Sequence, residues 1–212
     1  MQKNIYELEQ TDQFTALYTI IRDETTKRDD FIFCADRIIR MLVEKATEFL
    51  PTKTKQIKTH TGCSFNGKEF IGKICAVSIV RSGEAMEKAA RDICQKIRIG
   101  KILIQRNEET AKPIHFYSKL PEDIAERFVL LLDPMLATGG SACKAVEILK
   151  EKGVKEEKII FVNLISCPEG INAFTKKFPQ AKIITGAIDK GLDSKAYILP
   201  GLGDFGDRYF GA

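Results

Sequence analysis

RFVLLLDPMLATGGSACKAVEILKEKG, residues 127–153, passes from an unbroken apolar run through a lone carboxylate and two glycines into a helical pattern. Phe128 to Leu132 has strand length and no polar interruption, as expected of a strand buried on both faces of a parallel sheet. Asp133 sits where that strand ends. Thr138-Gly139-Gly140-Ser141 then lets the backbone curl tightly and aim several N–H groups at one point. Ser141 is the expected N-cap of a helix whose apolar positions Ala142, Ala145, Val146 and Leu149 share a face, with Gly153 as its stop. Strand, acid, glycine turn and helix start together make an anion site, because unpaired N–H groups and the helix dipole suit a phosphate monoester. Asp133 can hold ribose hydroxyls or a metal-bound water.

Working outward, residues 74–187 alternate strands and helices. Ile74–Val80, Ile99–Ile104, Phe128–Leu132, Lys158–Ile165 and Lys182–Thr185 read as strands. Helical faces are expected at Ala85–Ile97, in the segment after Gly140 and near Glu169–Phe178. This pattern predicts an α/β fold, a doubly wound, mostly parallel sheet with helices on both faces, whose ligands bind beyond the carboxyl ends of the strands. Arg81, Arg106 and Asp133 occupy such ends and are expected to converge. Before the core lies a helical lead-in, residues 1–52, with a helix capped by Asp29 or Asp30 and Pro51 just past its end. Residues 53–73 read as an exposed β-arm, with Asn66-Gly67 as its hairpin turn. Residues 188–212 are irregular and Gly-rich, yet Tyr197, Ile198, Leu199, Phe205, Tyr209 and Phe210 require burial, so the tail is expected to fold back as a hood. All four segments are expected to form a single domain.

Composition excludes several classes. With 44% hydrophobic and 29% charged residues the chain matches a soluble protein. No apolar run approaches membrane-spanning length, and the N-terminus lacks a secretory or mitochondrial pattern, so a cytoplasmic location is expected. A net charge of +4, spread along the chain, argues against nucleic acid as a partner. The six cysteines form no close pair and read as reduced thiols. Gly201, Gly203 and Gly206 match GxGxxG formally, but the chain ends before a ribose-binding acid could follow.

Asp133 to Ser141 resembles the phosphoribosyl diphosphate loop of the type I phosphoribosyltransferases. Asp133-Pro134-Met135-Leu136-Ala137-Thr138-Gly139-Gly140-Ser141, with Pro134 where most members carry a second acid, is similar to the uracil-specific branch. The tail YILPGLGDFGDRYFG, residues 197–211, resembles the base-binding hood of the uracil phosphoribosyltransferases, and Arg81 and the Arg106-Asn107-Glu108-Glu109-Thr110 loop match too. The resemblance spans roughly residues 28–212. It implies transfer of the 5-phosphoribosyl group to N1 of uracil, giving UMP and diphosphate, with Mg²⁺ held by the diphosphate and water rather than directly by the protein. It implies that Arg81, Arg106, Asp133 to Ser141 and Asp204 hold phosphoribosyl diphosphate. Ile198, Gly203, Asp204 and Phe205 would read uracil through main-chain groups. Asp133, Asp204 and Arg106 are the candidate catalytic residues, Asp204 replacing the missing second acid and lying near any Mg²⁺.

A nucleotide-binding regulator on the same fold and a purine phosphoribosyltransferase are the alternative readings. The lead-in and arm exceed a minimal core and predict subunit contacts, as a homodimer or homotetramer. Members with the Arg81-Ser82-Gly83-Glu84-Ala85-Met86 segment resemble GTP-activated enzymes that assemble to tetramers, and Arg22, Lys27, Arg28, Arg37 and Arg40 form a basic cluster that would suit a triphosphate; scattered solvated charge is the other reading.

Overall fold

The computed structural model describes residues 4–106 and 113–211, without the Arg106 side chain. In chain order the strands are β1 (Ile5–Glu7), β2 (Thr52–Lys58), β3 (Ser64–Phe70), β4 (Ile74–Val80), β5 (Arg98–Arg106), β6 (Pro113–Lys119), β7 (Phe128–Leu132), β8 (Met135–Leu136), β9 (Ile159–Ser166), β10 (Lys182–Ile188), β11 (Gly191–Leu192) and β12 (Ile198–Leu199). The helices are α1 (Asp12–Arg22), α2 (Arg28–Thr47), α3 (Glu87–Ile93), α4 (Gly140–Glu151), α5 (Pro168–Lys177) and α6 (Phe205–Phe210). Among the described residues, no helix is long and apolar enough to cross a membrane.

The main sheet runs β1-β10-β9-β7-β4-β5-β6, with β8 pairing β9. All its pairs are parallel except β5 with β6. The chain between β5 and β6 is too short for a crossover, so it must return antiparallel. Strand order reverses about β4, since β5 lies on one side of it and β7 on the other. The carboxyl ends of β4 and β7 therefore flank the switch point, where open α/β sheets bind ligands.

The two-residue pleat divides each buried strand between two cores. Leu130 and Leu132 of β7 pack with α1, α2 and α3, and Val129 and Leu131 pack with α4 and α5. Helices thus cover both faces, as the apolar strand predicts. Leu131 is fully buried, and truncating such a side chain to alanine costs about 2–5 kcal/mol.

Several local expectations are corrected. The α4 N-cap is Gly139, at φ 80°, and makes no side-chain cap; Ser141 lies in the first turn. Lys27 rather than Asp29 or Asp30 caps α2, and the two acids occupy its first turn, where they still complement the dipole. The helix after Arg81 is split. Ser82–Met86 is a 3-10 turn, and α3 stops at Ile93, short of Ile97. Asn66 and Gly67 are strand residues paired with Gln56 and Lys55. The arm instead turns at Thr59–Cys63, closed by Thr59 N–H to Cys63 O at 2.9 Å, with Gly62 at φ 82°. β1 lies in what reads as a polar lead-in, and the tail is less irregular than its composition suggests, holding β11, β12 and α6. Ile198 and Phe205 are buried, but Tyr197, Leu199 and Phe210 are exposed.

Candidate active site

A cleft of about 380 Å³ opens beyond the carboxyl end of β7. One wall is Asp133 and Met135 to Ala142; the other is Lys195 to Ile198 with Gly203 and Asp204. The two motifs singled out from the sequence therefore face each other across one space, although they lie some sixty residues apart in the chain.

The first wall is shaped from behind by α5. Cys167 N–H donates to Leu136 O at 3.2 Å, and the Cys167 thiol to Ala137 O at 3.1 Å. Burial pushes that thiol's pKa above its ordinary value. Leu164 and Ile165 N–H both donate to Pro134 O, at 2.9 and 3.1 Å. The loop's carbonyls are thus held away from the cleft. Contact with α5 is tight, since a Cβ on Gly139 would meet Gly170 O at 3.0 Å and one on Gly170 would meet Ala137 O at 2.5 Å. Gly139 is required twice over, by its positive φ and by that approach. The N-cap offers no side chain and Gly140 N–H makes only a long 3.4 Å bond to Thr138 Oγ1, so the first turn of α4 is open to an anion. Asp133 N–H binds Val162 O at 3.3 Å, fixing the acid at the end of the ladder, and its Oδ1 accepts from Met135 N–H at 3.4 Å.

The second wall is built by the tail. β11 pairs antiparallel with β12, Gly191 opposite Leu199 and Leu192 opposite Ile198. Asp204 caps α6, accepting from Asp207 N–H at 2.9 Å. Phe205 buries its ring against Phe31, at 5.5 Å, and Tyr209, at 5.4 Å, and unlike Gly203 and Asp204 it does not line the cleft. Around the back, Arg28 donates to Tyr209 O and Phe210 O, each at 3.0 Å, and Tyr209 Oη to Asp36 Oδ1 at 2.8 Å. Burial, with that acid beside it, raises the Tyr209 phenol pKa.

Arg81 and Asp133 follow neighbouring strands, Ser78 of β4 standing opposite Leu132 of β7. Arg81 is not among the residues that line the cleft. Arg81 Nη2 binds Asp207 Oδ1 at 2.6 Å, and its guanidinium lies 5.9 Å from the Phe210 ring centroid. It still lies beside Asp204. A Cβ built on Gly206 would be 3.0 Å from Arg81 Nη2 and 3.2 Å from Asp204 Oδ1. The Arg106 side chain and residues 107–110 lie outside the described residues. Sequence reasoning missed Lys195, Ala196 and Tyr197 as cleft residues; Ala196, at φ 65°, belongs to no motif that could have marked it.

The basic cluster near the N-terminus is largely engaged. Arg22 pairs with Asp189, Arg28 holds the tail, Arg40 lies 3.4 Å from Asp92, and Arg37 lies over the Phe33 ring. Among the described residues, no group of three His, Cys, Asp or Glu side chains could hold a metal ion.

The model of the uracil phosphoribosyltransferase family matches residues 8–212. The chain is 62% identical over 208 residues to a uracil phosphoribosyltransferase of Lachancea kluyveri, covering 98% of this chain and 96% of the relative. It is 59% identical, with the same coverage, to that of Saccharomyces cerevisiae. Among solved structures, the AQ2163 protein of Aquifex aeolicus superposes with a TM-score of 0.86 at 30% identity, over 98% of each chain. The chain belongs to the uracil phosphoribosyltransferase family.

Proposed function

We propose that the cleft between Asp133–Ala142 and Lys195–Asp204 is where this chain carries out its family's reaction. In that reaction the 5-phosphoribosyl group passes from 5-phospho-α-D-ribose 1-diphosphate to N1 of uracil, giving UMP and diphosphate. The observation that carries the assignment is the placing of an anion-binding loop and a main-chain wall across one space.

The 5-phosphate binds the N–H groups of Thr138 to Ser141, with the Ser141 and Thr138 hydroxyls beside them. Asp133 takes the ribose hydroxyls. Arg81 and Arg106 take the diphosphate, since a guanidinium can bind two oxygens at once. As the C1–O bond to diphosphate breaks and the C1–N1 bond forms, the N1 proton passes to water or to the departing diphosphate. The residues' task is to hold both partners in line and to offset the departing charge. Main-chain groups of Ile198, Gly203, Asp204 and Phe205 pair with the uracil edge and leave cytosine or a purine with unmatched polar groups. The donor set fits Mg²⁺: Asp133 and Asp204 offer one carboxylate on each wall, which suits a hard, hydrated cation. When bound, Mg²⁺ would neutralise the leaving group, with these two acids holding its waters.

Uracil, cytosine, orotate, hypoxanthine and adenine, each offered with phosphoribosyl diphosphate and Mg²⁺, test the assignment. Uracil is converted, and orotate and cytosine react at least about a hundredfold more slowly. Comparable turnover of a purine would overturn it.

The same reading extends to assembly. The β2–β3 arm exposes Ile57, Phe65 and Phe70, and a lone two-stranded hairpin is marginal in water. A second subunit covering it supports a homodimer, or a homotetramer when GTP binds and activates. Most of the basic cluster is already paired, so Arg37 and Lys27 are the residues left to a triphosphate. Sedimentation and rate at millimolar GTP, with Arg37→Glu as control, decide this; no change in either would dismiss GTP.

A further inference from the structure

Asp189 follows the last long strand of the sheet, and its N–H is tied to Ser166 O at 2.8 Å. Its carboxylate accepts twice from Arg22, the last residue of α1: Nη2 to Oδ1 at 2.7 Å and Nη1 to Oδ2 at 2.9 Å. Both then grip one peptide neighbourhood. Gly201 N–H donates to Asp189 Oδ2 at 2.8 Å, and Arg22 Nη1 donates to Gly201 O at 2.8 Å. The ring is largely shielded, with the side chains 23% and 5% exposed, and the Arg22 guanidinium rests over the Tyr18 ring at 5.3 Å. Gly201 sits at φ 67°, where a Cβ would collide with Ile198 O, so the turn is set by glycine and then locked by the ion pair.

One residue later Arg208 repeats the grip, with Nη1 donating to Leu202 O at 2.8 Å and Nη2 to Asp23 O at 2.8 Å. The Gly201–Leu202 and Leu202–Gly203 peptides are trans, so each carbonyl drawn toward α1 turns the following N–H the opposite way. The Gly203 N–H is therefore directed away from Arg208, and Gly203 itself lines the cleft. Neither member of this bidentate pair lines the cleft, although the carboxylate is buried and the guanidinium largely shielded. An ion pair so buried adds little net stability over an apolar packing of the same volume, but it does specify one backbone arrangement.

We infer that Arg22 and Asp189 are a positioning pair for the base: by clamping both polar groups of Gly201 they set the peptide planes that the hood presents to uracil. The inference rests on the proposed base-reading role of residues 198–205. Neither side chain lines the cleft, so both act through Gly201.

Steady-state kinetics on the full-length enzyme test this with Arg22→Met, Arg22→Lys and the charge-neutral double variant Arg22→Met/Asp189→Asn, which leaves no unpaired buried carboxylate should the single variant fail to fold. The KM for uracil rises about tenfold to a hundredfold in the methionine variants while the KM for phosphoribosyl diphosphate stays within about twofold. Arg22→Lys recovers part of the loss. A uracil KM within about twofold of wild type in the double variant, or equal losses for both substrates, would overturn the positioning role. Hydrogen exchange of wild-type residues 198–205 with and without UMP separates this from the reading beneath it. Protection there with unaffected variants removes only the clamp, and no protection removes the base-reading role and the inference together.

Discussion

Arg81 Nη2 stands 2.6 Å from Asp207 Oδ1, so the guanidinium assigned to the diphosphate is held by a carboxylate of the C-terminal helix. Both side chains are about half exposed, and such a pair contributes at most about 1 kcal/mol. A diphosphate, carrying more charge and more acceptor oxygens, can displace it. Asp207→Asn accordingly lowers the KM for phosphoribosyl diphosphate by up to about fivefold at low salt, and Arg81→Ala raises it. An unchanged KM in Asp207→Asn, measured by initial rates, would mean that Arg81 does not change partners.

Asp133 lies at an open strand end, half-buried, and asparagine is nearly isosteric with it. Asp133→Asn lowers kcat/KM for phosphoribosyl diphosphate by about a hundredfold, with the melting temperature unchanged. A large loss of melting temperature with normal kinetics would make Asp133 structural.

Chelation of Mg²⁺ abolishes turnover and leaves the circular dichroism spectrum unaltered, because no cluster of protein ligands among the described residues depends on the ion for folding. Full activity in chelator would remove the cation from the leaving-group chemistry.

The adjacent glycines separate stability from catalysis. Gly139→Ala forces a side chain into the left-handed region and against Gly170 O, a strain of about 1–3 kcal/mol that calorimetry detects as a lowered melting temperature. At Gly140 a Cβ finds nothing nearer than Thr138 Oγ1 at 3.6 Å. Gly140→Val therefore folds normally but crowds the phosphate, raising the KM for phosphoribosyl diphosphate about tenfold or more.

Far from the cleft, Asp123 pairs with the buried Arg127 through Nε at 2.7 Å and Nη2 at 2.8 Å, with Lys73 beside it. Arg127 first, then Lys73, holds its carboxyl well below the usual carboxylate range. A depressed folded-state pKa contributes stability above the unfolded value of about 4, which is lost as pH falls toward the folded value. Asp123→Asn thus lowers the melting temperature by several degrees at pH 7, and the gap to wild type narrows below about pH 4. A gap that widens on acidification would contradict the pairing.

The strand, acid and glycine turn of residues 128–140, the two-faced core and the end of the sheet at which the cleft opens were all legible in the sequence. Each rests on local chemistry, namely an uninterrupted apolar run, a residue without Cβ, or apolar spacing along one helix. Where local preference competes with pairing, it loses. Asn66-Gly67 has the composition of a turn, yet the seven-residue register of the arm puts both residues in a strand and places the bend at Thr59–Cys63. The β1 strand and α6 are too short to show periodicity, and the antiparallel β6 is set by the length of its connection.

How the second wall of the cleft is held in place was decided by tertiary structure alone. Its composition marks a segment that must fold back, but what holds it is Arg22 against Asp189, 167 residues away, and Arg28 against Tyr209, 181 residues away. An ion pair or a bond to a carbonyl leaves no periodic trace in a chain. Before the fold closes, Arg22 is one charge in a basic lead-in and Asp189 one acid in an irregular tail. Closure brings them together out of water, where each needs the other to offset the cost of burial.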